Sequence, residues 1–89
     1  MKKTIISEVL LQRAETHGDF GSVSQTAQAL KTIIHKADHL KSAHVEALDL
    51  IATKIARICH GNSEEPEHWL DIQGYAALAA LAEVEREKK

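Results

Sequence analysis

The sequence contains very little cysteine and proline, two residue types that often stabilise small proteins. Its 89 residues include one cysteine, Cys59, and one proline. A single cysteine forms neither an intrachain disulfide nor a cysteine-based zinc site, which excludes the disulfide-rich class and favours a reducing compartment. We therefore expect a cytoplasmic protein. Cys59 lies beside Ile55 and Ile58 on the apolar side of a predicted helix, so we expect a buried, inert thiol there.

Aromatic residues and long apolar runs are scarce as well. Aromatic residues make up 3% of the chain, whereas apolar residues make up 44%. The core must then consist mainly of Leu, Ile, Val and Ala, a composition that favours packed helices over a β-sandwich. The apolar runs are too short for a membrane span or a signal peptide, so we expect no membrane association.

Positive charge is not concentrated anywhere except at the two ends. The formal net charge is −2, from 11 basic and 13 acidic residues. Proteins that bind nucleic acid usually carry a basic patch or stripe. The charge distribution therefore disfavours a nucleic-acid partner.

Apolar residues recur at helical spacing in four segments, which predicts a single all-α domain over residues 1–89 with a four-helix bundle-like fold. The predicted helices span about 4–17, 23–36, 43–59 and 65–85. Glycines and polar residues separate these segments. The pattern gives no sign of a second domain, a repeat or a low-complexity stretch.

Local signals predict where the helices begin and end. Gly18 stands where a left-handed residue would end the first helix. Ser22 opens a Ser-x-x-Gln sequence typical of a capping box, so a loop is expected before it, with Phe20 inserted into the core. Ser42 is the expected N-cap of the third helix, and Pro66 is expected in the first turn of the fourth.

The middle of the fourth helix, residues 74–82, is apolar nearly all round. Such a helix is either central in its bundle or shared with another chain. An 89-residue chain can hardly surround a helix completely. We therefore expect a homodimer or a larger homo-oligomer, with this helix central or at the interface.

Two pairs of polar residues at i,i+3 spacing fall on consecutive helices. They are Glu46 with Asp49 on the third helix, and His68 with Asp71 on the fourth. If these edges face each other, the carboxylates of Glu46, Asp49 and Asp71 converge. Hard divalent cations such as Mg²⁺ prefer clusters of oxygen ligands, so this edge is a candidate magnesium site.

Basic and aromatic side chains near this edge extend the hypothesis to a nucleotide. Lys54 and Arg57, one helical turn apart, could contact phosphate oxygens, and Tyr75 or Phe20 could lie near a base. The structural alternative is an ion pair of Asp71 with Lys54, Arg57 or Arg13, because a carboxylate in an apolar helix is costly without a cation. The sequence is compatible with both the nucleotide site and the structural ion pair.

Three stretches of the chain resemble a family of small uncharacterised helical proteins encoded by tailed phages and prophages. They are residues 13–20, 46–58 and 68–78. That family is distantly similar to the MazG-like all-α nucleoside triphosphate pyrophosphohydrolases. Those enzymes hold Mg²⁺ on a Glu-x-x-Glu pair and a Glu-x-x-Asp pair and direct a water at the α–β phosphate bond. The resemblance implies a location in the cytoplasm of the host cell.

By position, the resemblance makes Glu46 and Asp49 stand for the first pair of ligands, and His68 and Asp71 for the second. Asp49 and His68 each replace a glutamate, and the second helix offers no acid. A smaller ligand charge weakens metal binding and water activation. Two functions remain: a nucleotide-binding remnant of a pyrophosphohydrolase, with catalysis in doubt, and a non-enzymatic helical module that binds a host or phage protein.

Histidines around the predicted turn between the second and third helices form a weaker candidate metal site. His35 and His39 are four residues apart, and His44 is close enough in sequence to supply a third ligand. Imidazole nitrogens at this spacing bind transition metals when the helix is continuous. The alternative is a set of exposed histidines at a surface turn.

Overall fold

The computed structural model describes the backbone of residues 2–88 and the side chains of residues 7–87. Four helices make up this part of the chain and no strand occurs in it, which confirms the all-α fold. The helices are α1 Lys2–His17, α2 Phe20–Lys36, α3 Ser42–His60 and α4 Pro66–Lys88. None of the described helices is both long and apolar enough to cross a membrane.

Helix α3 occupies the centre of an elongated molecule that measures 57 × 25 × 24 Å. It packs against α2 on one side and against α4 on the other, while α1 adjoins the α2–α3 pair. The sequence allowed two places for the fourth helix, the centre or an interface. Because α3 takes the centre, α4 lies at the edge of the bundle.

Small side chains fill the contacts around α3. Ala47, Ala52 and Ala56 of α3 are buried, as are Val23 and Ala27 of α2. Alanines let helix backbones approach closely, but they bury little apolar surface each. Many large apolar side chains consequently remain exposed: Val9, Leu10, Leu11, Phe20, Ile33, Leu48, Ile55, Trp69, Leu70, Leu78, Leu81 and Val84.

The junction between α1 and α2 differs in part from the sequence prediction. Gly18 ends α1 with φ +87°, as predicted, and its N–H donates to the carbonyl of Ala14 at 2.8 Å. The N-cap of α2 is Asp19, whose Oδ2 accepts from the Ser22 N–H at 3.0 Å. The predicted loop and Ser22 capping box are therefore wrong. An aspartate caps as well as a serine and also favours the positive end of the helix dipole.

Phe20 is not inserted into the core, because the earlier helix start places it in the first turn of α2. Its side chain is 83% exposed. Helix α3 likewise starts one position earlier than expected, with Ser42 as its first helical residue rather than its N-cap. The Lys41 N–H donates to Nδ1 of His44 at 3.2 Å at this helix start.

The apolar stripe of α3 is only partly covered. Leu48, Ile55 and Cys59 share one side of the helix, and all three are exposed. The prediction that Cys59 is buried is therefore wrong. Helix periodicity identified the apolar side of α3 correctly, but α2 and α4 flank that side and leave a strip open between them.

Candidate functional site

Asp71 is joined to α3 by an ion pair. Its Oδ2 lies 2.8 Å from Nζ of Lys54, whose side chain is 13% exposed. The hydrogen bond from Lys54 holds the pKa of Asp71 below its usual value. Of the two interpretations of Asp71, the structural pair is the one that forms, and the Lys54 ammonium is engaged there.

Asp49 points to the opposite neighbour of α3. Its Oδ2 and Oδ1 lie 2.8 and 3.0 Å from Nε2 of His35 on α2. The structure thus places Asp49 and Asp71 in separate contacts on two different helix pairs. Within residues 7–87, no group of three or more His, Cys, Asp or Glu side chains is placed to hold a metal ion. The predicted convergence with Glu46 does not occur in this chain.

Glu46 and Tyr75 do come together, in a small cleft between α3 and α4. The cleft has a volume of about 150 Å³ and is otherwise apolar. Its other lining residues are Ala43, Ala47, Leu50, Leu78 and Ala79. Arg57 lies elsewhere, so the residues proposed for one nucleotide site are distributed over four places.

His68, which the resemblance matches to a metal ligand, is buried and makes a structural contact. Its side chain is 1% exposed, and its Nε2–H donates to the carbonyl of Thr16 at 3.0 Å. The ring lies against that of His17, with centroids 5.1 Å apart and planes tilted by 56°. His68 therefore fixes the start of α4 against the end of α1.

His17 is a perturbed titratable group at the same place. Burial lowers the pKa of His17 below 6.5, and the nearby positive charge of Arg57 lowers it further. The Nδ1 atom of His17 is buried and has no hydrogen-bond partner. Buried polar atoms are nearly always paired in folded proteins, so this atom marks a place where a partner is missing.

The predicted histidine set is divided between different partners. His35 contacts Asp49, whereas Nε2 of His44 lies 2.6 Å from Oε1 of Glu83. Hydrogen bonds from Arg86 and His44 lower the pKa of Glu83. The histidines therefore do not assemble into a transition-metal site in the described part of the chain.

A larger groove lies between α1, α2 and α3, and the sequence interpretation missed it. Its volume is about 690 Å³, and Arg13, Lys31 and Arg57 reach it from three different helices. His17 and Asp19 also line it. Of the residues predicted to contact a nucleotide, Arg57 and Phe20 line this groove. No sequence spacing connects three cations on three helices, so only the tertiary packing reveals them.

Comparisons with known proteins place the chain in a family without assigning it an activity. No match was found among curated proteins or solved structures. One family model covers residues 3–83, which is nearly the whole chain. The chain therefore belongs to the family described as a domain of unknown function, DUF6378.

Proposed function

We propose that this chain is a helical protein-interaction module whose partner is a second copy of itself, bound through the outer side of α4. The observation that carries the proposal is an exposed apolar stripe on that helix, here called the outer α4 stripe. It consists of Leu70, Gly74, Ala77, Leu81 and Val84. Steps of four and three residues alternate along it, which is the spacing of the seam in two-helix coiled coils.

The exposure of the stripe is large for a protein of this size. Leu70 is 60% exposed, Leu81 52% and Val84 46%. Contiguous apolar surface on a small domain commonly marks an interaction site. Asp71 and Tyr75 face α3 instead, so the stripe lies on the side of α4 that its own chain leaves uncovered.

Gly74 supports a helix partner in particular. A glycine inside a helix costs about 1 kcal/mol relative to alanine, and apart from its own turn of helix no described atom lies within 4 Å of where its Cβ would be. In an antiparallel pair centred on Ala77, Leu81 of one copy lies opposite Gly74 of the other. A large residue then packs against a small one in these layers, which lets the two helices approach closely.

The polar pairs of α3 fit the same proposal as structural contacts. Lys54 with Asp71 connects α3 to α4, and His35 with Asp49 connects α2 to α3. Such pairs set the positions of the helices and need no ligand. They support a structural role for these residues, and a host or phage protein is the alternative partner of the module.

The proposal is tested by the molar mass in solution, measured by sedimentation equilibrium over a range of concentrations. The wild-type chain should be a dimer or larger, and Leu81→Glu should be monomeric with an unchanged far-UV circular dichroism spectrum. Leu11→Glu is the matched control, because Leu11 is 66% exposed on α1. A monomeric wild type, or a Leu81→Glu variant that still assembles, would exclude this interface.

A second candidate is a degenerate nucleotide site inherited from a phage-type family that is distantly similar to the MazG-like pyrophosphohydrolases. What favours it is Glu46, which is exposed and lines the α3–α4 cleft with Tyr75. A magnesium ion on Glu46 would bring a nucleotide to this cleft. This candidate predicts that nucleoside phosphates raise the melting temperature only with Mg²⁺, and that Glu46→Ala abolishes the rise. An unchanged melting temperature with all nucleoside phosphates would exclude the nucleotide site.

A further inference from the structure

The groove between α1, α2 and α3 collects positive charge that the chain does not neutralise. None of Arg13, Lys31 and Arg57 forms an ion pair with a carboxylate of the described residues. The acid on the wall is Asp19, and its Oδ2 already accepts from the N–H and the hydroxyl of Ser22. The groove therefore has three cationic side chains and one carboxylate, so the charges that line it sum to a positive value.

Cations that line one concave groove repel each other and concentrate a positive field there, which favours a bound anion. Arg57 and Lys31 are both half-buried, which limits their solvation. A bound anion would remove this repulsion, and guanidinium groups match the oxygens of a phosphate in particular.

The groove also has apolar walls and is large enough for a small molecule. Its apolar lining residues are Leu10, Ala14, Phe20, Val23 and Ala27. The volume of about 690 Å³ falls within the range of roughly 300–1,000 Å³ that ligand sites occupy. The exposed ring of Phe20 offers a flat surface on which a planar group can stack.

The unpartnered nitrogen of His17 is an independent indication of a missing partner. His17 lines the groove, and its Nδ1 is buried without a hydrogen bond. Two hydroxyls on the walls have partners within the chain: that of Ser24 donates to the carbonyl of Gly21, and that of Thr53 to the carbonyl of Asp49. Among the described residues, Nδ1 of His17 is the buried side-chain atom without a hydrogen-bond partner.

We propose that this groove binds a small phosphorylated molecule with a planar apolar part, without a metal ion. Arg13, Lys31 and Arg57 hold the phosphate, and Phe20 covers the planar part. The site shares no carboxylate with the magnesium hypothesis. It is also separate from the outer α4 stripe, so it stands whether or not the chain dimerises.

The test is isothermal titration calorimetry in low salt with EDTA, using pyrophosphate, ADP and uncharged adenosine as probes. Pyrophosphate and ADP should bind and adenosine should not. Lys31→Gln and Arg57→Gln should each weaken the binding of pyrophosphate about tenfold, the usual effect of removing one charge-assisted hydrogen bond. Lys36→Gln makes the same charge change on α2 outside the groove and should change the affinity less than about twofold.

Phe20→Ala tests the contact with the planar part of the ligand separately from the contacts with the phosphate. It should weaken ADP and leave pyrophosphate unchanged. Absence of binding by both anions overturns the proposal, and so does an equal loss in Lys36→Gln and Lys31→Gln, which would indicate general charge attraction. Circular dichroism checks that each variant is folded. If Arg57→Gln does not fold, the affinity of Lys31→Gln for pyrophosphate decides the result.

Discussion

Gly61 packs so tightly against the end of α1 that a Cβ on it would lie 2.6 Å from the backbone nitrogen of Gly18. In return, a Cβ on Gly18 would lie 2.7 Å from the carbonyl carbon of His60. The N–H of Asn62 donates to the carbonyl of Thr16 at 3.0 Å beside this contact. The ends of α1 and α3 are therefore joined backbone to backbone, at a distance that only glycine permits.

Replacing either glycine should weaken this contact between the helix ends. We expect Gly61→Ala and Gly18→Ala each to lower the free energy of unfolding by about 1–3 kcal/mol, from overpacking and, at Gly18, from the positive φ. Urea unfolding followed by circular dichroism measures the effect. Gln12→Ala is the control and should not destabilise, because Gln12 is exposed on α1 and alanine is a good helix former. A stable Gly61→Ala variant would contradict the docking of α1 on α3.

The fold was largely predictable from the sequence because helix signals are local. The four apolar periodicities, the left-handed Gly18 and Pro66 in the first turn of α4 all depend on residues within a few positions of each other. The start of α2 was misjudged because Asp19 and Ser22 both suit an N-cap, and only the backbone shows that Asp19 is used.

The site was far less predictable because it depends on how α3 is rotated between its neighbours. That rotation turns Asp49 towards α2, while Lys54 meets Asp71 on α4. The sequence placed these residues on the correct helices and allowed the Lys54–Asp71 pair as one alternative. The basic groove carries no sequence signature, because its cations come from three helices.

His68→Ala should destabilise the protein although His68 has no catalytic assignment. The change removes a nearly fully buried ring and one of the two hydrogen bonds to the carbonyl of Thr16, the other coming from the N–H of Asn62. We expect a loss of about 2–4 kcal/mol in the free energy of unfolding, mainly from the cavity. The exposed His39 provides the control: His39→Ala should stay within about 0.5 kcal/mol of wild type.

Stability should fall on moderate acidification because of His17. Its pKa in the folded protein lies below 6.5, so the unfolded chain binds the proton first as the pH falls. The contribution of neutral His17 is therefore present above about pH 6.5 and is lost below it. The free energy of unfolding, measured by urea titrations from pH 7.5 to about pH 5, should decrease. The slope should be smaller in His17→Gln, and an equal slope would assign the effect to other groups.

Cys59 should react in the native protein. Its side chain is exposed on the open strip of α3, so a thiol reagent such as dithionitrobenzoate has direct access. We expect one equivalent to react about as fast in native buffer as in denaturant. A native thiol that reacts only after unfolding would show that the strip with Leu48 and Ile55 is covered.

The pair of Lys54 and Asp71 gives the sharpest test of a structural role for the polar residues. Lys54 is mostly buried, so Asp71→Ala strands an ammonium group without its partner, whereas changing both residues to apolar ones removes the charge and its need for a partner. We therefore expect Asp71→Ala to lower the melting temperature more than the double variant Lys54→Met with Asp71→Leu. The pKa of Asp71 lies below 3.8, so the contribution of the pair is present above that pH and disappears as the carboxylate is protonated below it. Asp71→Ala should then approach wild type in acid, because the ammonium of Lys54 lacks a charged partner in both proteins, whereas the double variant should gain stability relative to wild type. Thermal unfolding at neutral and acidic pH measures both effects. If the double variant is the less stable of the two at neutral pH, the unpaired ammonium of Lys54 is not what destabilises Asp71→Ala.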